Sequence, residues 1–425
     1  MRPGGRMDME VSASECAKGL RVGIVGGSIA GCVCAIELSR AGCEVEVFER
    51  STGQFEDRGA GITTSLPHLE LLKQRDLVDS HFPVVEAGSS MWTVPAEGEP
   101  RGRILRVQPA SVAGMNWGQL FANHRKRVPE KVYHRGCDVT GVEARTDGPV
   151  TLVLEDGRRF TFDLVVFADG YQSWGRGQLF PEVKAEYAGY LMWRGMVEEE
   201  RVPAATYGAE GRVEWAVHEG GLCILYAIPG VREECASGQR RVNWAWYTLT
   251  PEARLGELLT DKRGRRHETS LPRGAARGEH VRALHEHARQ ALRGVAAEVI
   301  CSTAEPFIQV VYDLHVPAYV RGRVCLMGDA SSIARPHTAG GAIKAQQQAM
   351  ALSQALRTHG TLDEALRAWN EEVWEAGDKQ VSLGKALGRA MLTEAPDWGA
   401  MDEARMVEWW DATTRGMHVY YARPR

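Results

Sequence analysis

Residues 20–50 read LRVGIVGGSIAGCVCAIELSRAGCEVEVFER, from Leu20 to Arg50. An apolar run, Leu20 to Val25, meets a turn of small residues, Gly26-Gly27-Ser28-Ile29-Ala30-Gly31. A helical run follows to about Arg40, then alternating apolar residues from Val45 to Phe48, closed by Glu49. Strand, turn, helix and strand, with an acid about twenty residues beyond the turn, form the dinucleotide-binding signature. Gly26 permits the tight turn. Gly31 lets helix and strand pack closely. The helix start carries unpaired N–H groups and a partial positive charge, so Gly26, Ser28, Ile29 and Gly31 are the expected pyrophosphate cradle. Glu49 can accept hydrogen bonds from a ribose 2′-hydroxyl, and it would repel a 2′-phosphate. Ser28 stands where the pattern has a glycine: its Cβ crowds a phosphate, and its hydroxyl can bond one. An ordinary strand–helix turn is the competing reading, and the strand, helix and acid together outweigh it.

Outward from this stretch, the 425 residues suffice for two or three domains. Hydrophobic and charged fractions of 44% and 25% are those of a soluble globular chain. A net charge of −4 offers no field to nucleic acid or membrane. No apolar run approaches the roughly 18 residues of a membrane span. Residues 1–19 lack the apolar core of a signal peptide and read as a disordered lead-in, so a cytoplasmic protein is expected. Nine cysteines, an odd number, suggest free thiols, and Cys32, Cys34 and Cys325 read as small core residues.

Arg58-Gly59-Ala60-Gly61 follows the ribose acid, with a cation beside two glycines that admit a ligand. His68 reads as a helix-surface residue. Residues 132–139 and Val150 to Leu154 look like paired strands. Phe162 to Gly170 is a buried strand ending in Asp169-Gly170, followed by Ser173 and Arg176. Charged groups at such a strand end lie on the ligand side of a parallel sheet. From about residue 179 to 305, alternating runs rich in tryptophan and tyrosine read as a mainly antiparallel sheet walling a pocket. Most of those aromatics would be plain core. Trp193, Arg194, Trp215 and Trp246 are the expected substrate contacts. Lys262-Arg263-Gly264-Arg265-Arg266-His267 reads as a solvated loop. His285 and His287 are two apart on a helix, poor spacing for a metal. Arg323 to Ala330 is another buried strand, ending in Gly328-Asp329. Gly340-Gly341 then opens a helix from about Ile343 to Arg357, a second anion-favouring helix start.

These motifs in order, Gly26-x-Ser28-x-x-Gly31 with Glu49, Asp169-Gly170 and Gly328-Asp329, resemble those of the FAD-dependent aromatic hydroxylases of the p-hydroxybenzoate hydroxylase fold. Tyr190-Leu191-Met192-Trp193-Arg194-Gly195, residues 242–247 and Arg335-Pro336-His337-Thr338-Ala339-Gly340 are most similar to dihydroxypyridine hydroxylase-like members. Ser28, and Trp117 where many members carry an arginine, depart from the pattern.

The resemblance implies an α/β fold: a Rossmann-like FAD-binding domain (20–80, 111–178 and 306–360), an inserted mainly antiparallel substrate domain (81–110 and 179–305) and a C-terminal helical region (361–425). It implies FAD as cofactor, NADPH or NADH as co-substrate, O2, a small aromatic or heteroaromatic substrate and a homodimer. Glu49 and Arg50 would hold the adenosine ribose, and the Val139 backbone the adenine. Arg58 and Gln119 would approach the flavin or its phosphates. Asp169, Gly170, Gly328, Asp329, Pro336, Gly340 and Gly341 would line the rest of the cofactor. Such enzymes hydroxylate an electron-rich ring through a flavin hydroperoxide. A group that accepts the ring proton would help, and His218, Tyr226 and His337 are the candidates. Two other readings compete. Trp244-Ala245-Trp246 points to a flavin halogenase, but Tyr247-Thr248-Leu249 follow where that motif continues differently. The fold alone also permits a non-catalytic dinucleotide-binding protein.

Overall fold

The computed structural model describes residues 16–53, 60–144, 148–202 and 211–415. Arg58, most of the lead-in and the C-terminal Tyr420 and Tyr421 lie outside these residues.

The opening stretch forms a strand (Arg21–Val25), a helix (Ile29–Ala41) and a second strand (Glu44–Glu49). They belong to a six-stranded sheet, whose order is Val320–Arg321, Val324–Leu326, Leu164–Phe167, Arg21–Val25, Glu44–Glu49, Tyr133–Arg135. All neighbours run parallel except the first pair. Val25 pairs with both Phe48 and Phe167, and Phe167 with Leu326. The register therefore brings Gly26, Asp169 and Gly328 to one edge of the sheet, beyond the carboxyl ends of the central strands. That is where open α/β sheets bind ligands. Parallel strands covered on both faces need apolar side chains throughout. Leu164, Val165, Val166 and Phe167 meet that need, each fully buried.

Tyr133–Arg135 departs from the expected pairing. It runs parallel to Val47–Glu49, while Val139–Ala144 is the segment that pairs with Val150–Leu154. Tyr133 joins the nucleotide side because its hydroxyl donates to the Gly27 carbonyl at 2.9 Å.

The second sheet has ten strands, mainly antiparallel as expected. Its one parallel pair joins Arg212–His218 to Val85–Ala96. It also takes in Gly61–Ser65 and Phe307–His315. One face carries Tyr190, Met192, Val213, Trp215, Ala245 and Tyr247. The other face carries Leu191, Trp193, Trp244 and Trp246, packed on Leu284 and Ile300 of two helices, Gly278–Ala291 and Gly294–Cys301. Both faces of the sheet are therefore buried.

A helix from Gly341 to Thr358 returns to the first sheet and packs on Ile29–Ala41. A Cβ on Gly328 would lie 3.1 Å from that of Ala30 and 3.7 Å from that of Ala345, so the loop ending in Asp329 is wedged between the two helix starts. His68 is not on the surface. It is 6% exposed, and its Nε2 meets Gln346 Oε1 at 2.8 Å. Gln346 Nε2 in turn donates to His124 Nε2 at 3.0 Å, and His124 Nδ1 donates to the Leu77 carbonyl at 2.8 Å. This buried relay locks the returning helix to its neighbours. Cys32, Cys34 and Cys325 are fully buried thiols, as their small apolar character required.

Candidate active site

A cavity of about 1040 Å³ opens between the two sheets. Ser28, Ile29 and Ala30, at the start of the first helix, line it. So do Gly340, Gly341 and Ala342, at the start of the returning helix. The two glycine-bordered helix starts, more than 300 residues apart in the chain, thus face one space. Each presents free N–H groups and the positive end of a helix dipole to it.

The glycines divide by what holds them. Gly26 has φ +97°, and a Cβ there would meet the Ala168 carbonyl oxygen at 2.4 Å. A Cβ on Gly31 would lie 1.9 Å from the Gly26 carbonyl oxygen. Both are bare because protein backbone fills the space. Gly170 and Gly341 line the cavity, and a Cβ on either would meet nothing within 4 Å, although Gly170, at φ +79°, is also held to glycine by its own backbone. Backbone bare on the cavity side fits a bulky ligand laid against it.

Glu49 is 6% exposed, and its carboxylate accepts from the Gly27 and Ser51 amides, each at 2.8 Å. This fixes an acid at the glycine turn, where an adenosine ribose would need it. Arg50 is exposed beside it. Asp169 accepts from the Gly175 amide at 3.1 Å, while its Oδ1 is buried with no hydrogen-bond partner among the described residues. Burial raises its pKa. Arg176 binds the loops behind the two Asp-bearing strand ends. It donates to the carbonyls of Tyr171 at 2.6 Å, Asp329 at 3.1 Å and Ala330 at 3.2 Å.

Of the residues expected at the cofactor, Ser28, Ile29, Gly170, Gly328, Asp329, Pro336, Gly340 and Gly341 line the cavity. Gly26, Gly31, Glu49 and Asp169 stand directly behind that wall. Gln119 does not reach it: its Nε2 donates to the Gly230 carbonyl at 3.2 Å. Val139 is a buried strand residue, also off the cavity wall.

Among the expected substrate contacts, Arg194 and Trp215 line the cavity. Trp193 and Trp246 do not. They point through the opposite face of the sheet into the helix-covered core, 6% and 0% exposed. Arg194, next to Trp193 on the same strand, necessarily points the other way. The register pairs Arg194 with Ala245, so Ala245 and Tyr247 share the cavity face and Trp246 cannot.

The three candidate proton acceptors fare differently. His218 is off the cavity. Its Nδ1 meets the Glu219 carbonyl at 2.8 Å, and its Nε2 accepts from the Trp246 indole at 2.9 Å. Both ring nitrogens are spent on structure, and burial lowers its pKa to about 4. Tyr226 lines the cavity, but burial pushes its pKa up to about 12, so it is a neutral phenol rather than a base. His337 lines the cavity and stacks on Tyr247, with ring centres 4.4 Å apart. Burial and the nearby Arg335 lower its pKa to about 3. Tyr190 Oη accepts from Arg335 Nη1 at 3.3 Å and donates to His337 Nε2 at 2.9 Å. Arg335 is itself held by Asp313, with Nε at 3.0 Å from both carboxylate oxygens and Nη2 at 2.7 Å. His337 is therefore a neutral, rigidly held wall residue.

The structure adds wall residues the sequence did not single out. Met192 and Tyr247 lie on the cavity face, and Thr63 and Gln309 add polar atoms. The parity of Arg194, the one charged residue in its run, pointed toward Met192, but Tyr247 needed the register between strands.

Comparison with known proteins agrees with this geometry. A family profile described as NAD(P)-binding Rossmann-like domain matches residues 24–54, and one described as FAD binding domain-like matches residues 187–313. The chain is 30% identical over 372 residues to 2,6-dihydroxypyridine 3-monooxygenase of Paenarthrobacter nicotinovorans, covering 86% of this chain and 90% of that one. It is 27% identical over 435 residues to a salicylate hydroxylase of Pseudomonas putida, covering 89% and 92%. The solved structure of 2,6-dihydroxypyridine-3-hydroxylase from Arthrobacter nicotinovorans superposes with a TM-score of 0.81 at 26% identity, covering 91% and 96%.

The fold and the site define a flavin-dependent oxidoreductase. The chain belongs to the FAD-dependent aromatic hydroxylases, single-component monooxygenases that use NAD(P)H. The halogenase and non-catalytic readings fall with that assignment. Trp244 and Trp246, which suggested the former, are fully buried core on the far face of the sheet. Among the described residues, no helix is long and apolar enough to cross a membrane.

Proposed function

We propose that this hydroxylase acts on an electron-rich heteroaromatic ring bearing hydroxyl groups, of the hydroxypyridine or pyridone type, and takes it as an oxyanion. The carrying observation is Arg194. It lines the cavity, with Nη2 on the Gly61 carbonyl at 2.7 Å and Nη1 on Gln309 Oε1 at 3.2 Å. It has no carboxylate partner among the described residues, and its Nε is buried with no hydrogen-bond partner among them. A guanidinium held on neutral oxygens keeps its full charge for a ligand. Met192, Val213, Ile224 and Tyr247 give the ring an apolar wall.

Bound FAD, reduced by NAD(P)H, supplies the oxygen-activating chemistry. The chain's own part is to bind, orient and desolvate the ring. A ring hydroxyl placed beside the Arg194 charge would be acidified by it, so no strong base is required. Tyr226, protonated up to about pH 12, is the donor that would orient the ring oxygen. His337, fixed through Tyr190 and Arg335, is the rigid edge against which the ring is placed. Glu49, Asp169, Asp329 and the two helix starts would hold the flavin nucleotide, with Gly26 and Gly31 shaping the first of them.

A panel of hydroxypyridines, phenols and unhydroxylated rings tests this reading. Hydroxypyridines should stimulate NAD(P)H consumption and yield a product heavier by one oxygen. Arg194→Met should raise KM for them tenfold or more, about 1.4 kcal/mol. An unchanged KM, or a panel in which no hydroxylated ring stimulates turnover, refutes it. We further propose a cytoplasmic homodimer. Nine cysteines, all free thiols, support a reducing compartment, and sedimentation at micromolar protein tests the dimer.

A further inference from the structure

Lys344 lies in the first turn of the Gly341–Thr358 helix and is 7% exposed. A cation there opposes the helix dipole, and a buried ammonium is costly without partners. Its Nζ donates to the Ser332 carbonyl, meets Ser332 Oγ at 3.2 Å and lies 3.6 Å from Asp329 Oδ1. Burial lowers its pKa, and Asp329 opposes that shift. The partner is unlike it: the Asp329 side chain is 49% exposed and lines the cavity. The Asp329 carbonyl is meanwhile held by Arg176 at 3.1 Å. The main chain is thus fixed from one side and the carboxylate from the other.

We propose that Lys344 is a positioning residue for the cofactor: it is the cation that holds and directs the Asp329 carboxylate when a bound flavin nucleotide displaces the water around it. Water alone suffices for an exposed carboxylate. Once a ligand covers it, the carboxylate either has a nearby cation or takes up a proton. Arg176, the other cation at this loop, spends its hydrogen bonds on carbonyls. The remaining titratable groups around the pair are Asp169 and Tyr171 behind Arg176, and His315, Tyr319 and Asp378 on the Lys344 side. His315 is already engaged, by Tyr319 Oη at 3.0 Å and Asp378 at 3.5 Å. Lys344 also lowers the His315 pKa, so the effect of removing it is compared with the same change in an Asp329→Asn background, which leaves that coupling in place.

The proposal rests on the chain's use of FAD, not on which ring is hydroxylated. Its test is titration of apoprotein with FAD, followed by flavin fluorescence, between about pH 5.5 and 8.5, a range that spans carboxylate protonation in a desolvated site. Lys344→Met should bind FAD tenfold or more weakly at the alkaline end, and the deficit should close as pH falls, because a proton can then replace the missing cation. In an Asp329→Asn background, Lys344→Met should cost less than about threefold, since no carboxylate is left to support. Lys344→Gln keeps a polar contact to Ser332 and removes only the charge, so it carries the same readings should the Met variant not fold. A loss of equal size in both backgrounds, a loss independent of pH, or no loss overturns the proposal.

Discussion

Gly31 and Gly341 are both glycines at helix starts that face one cavity, yet replacing each by alanine should have opposite consequences. At Gly31 the new Cβ would lie 1.9 Å from the Gly26 carbonyl oxygen, within backbone that cannot rotate away. Restoring an ordinary contact moves the first helix off its strand by more than about 1 Å. Overpacking of that kind costs about 1–3 kcal/mol. Gly31→Ala apoprotein should therefore melt a few degrees lower. It should also bind FAD poorly, because the helix start is displaced from the cavity edge. At Gly341 the Cβ would meet nothing within 4 Å, and the backbone is not in the left-handed region. Gly341→Ala apoprotein should melt within about 2 °C of wild type, with any shift upward, since alanine favours helix over glycine. The methyl group instead occupies space the cofactor needs. FAD affinity should fall tenfold or more, about 1.4 kcal/mol. Melting of the apoproteins by tryptophan fluorescence, with FAD titration of the same samples, separates the two. The reasoning fails if Gly341→Ala destabilises the apoprotein as much as Gly31→Ala, or if its FAD affinity is that of wild type.

Stability should fall on acidification through the buried histidines. His124 and His218 are held near pKa 4 and His337 near 3 by burial, below the roughly 6.5 of an unfolded chain. The unfolded state then binds more protons between those limits, so stability is full above about pH 6.5 and declines as pH drops toward 4. Urea midpoints at pH 7 and 5 should differ, and His124→Gln should reduce the difference; an unchanged difference contradicts the assignment. Removing one partner of the buried Arg335–Asp313 pair should be severe. Arg335→Met leaves Asp313, 3% exposed, unpaired, which costs about 3–5 kcal/mol by denaturant unfolding. A loss under about 1 kcal/mol would mean that Asp313 is otherwise satisfied.

The nucleotide half was legible because its signals are local. A glycine turn, the helix it starts and the acid beyond them lie within one stretch, and each has a single physical cause. The order of the later motifs extended the reading to the family. Two residues there were decided by partners far along the chain. His68 sits on a short helix whose burial comes from Gln346, nearly 280 residues later. Gln119 turns to Gly230, a contact that no motif announces.

The substrate half resisted for a different reason. Strand parity can be read only when one face of a sheet is wet, so that polar and apolar residues alternate. Here the strand Arg241–Leu249 is buried along Arg241 to Tyr247, on both faces. Trp244, Trp246 and Tyr247 therefore look alike in sequence, although two serve the helix-covered core and one the cavity. Choosing Trp193 and Trp246 was a choice of the wrong parity. Arg194 was the corrective signal. A charged residue within a buried run must face something that accepts it, and its strand neighbours at even spacing share that surface. Applied to Tyr190 through Gly195, that rule selects Met192 with Arg194 and rejects Trp193. The same rule reaches Ala245 and Tyr247 only through the pairing of Arg194 with Ala245, a register set by the folded sheet. Parity also accounts for His218. It shares its side of the strand with Ala216, on the core face, so a histidine suited to proton transfer became the hydrogen-bond partner of the buried Trp246 indole.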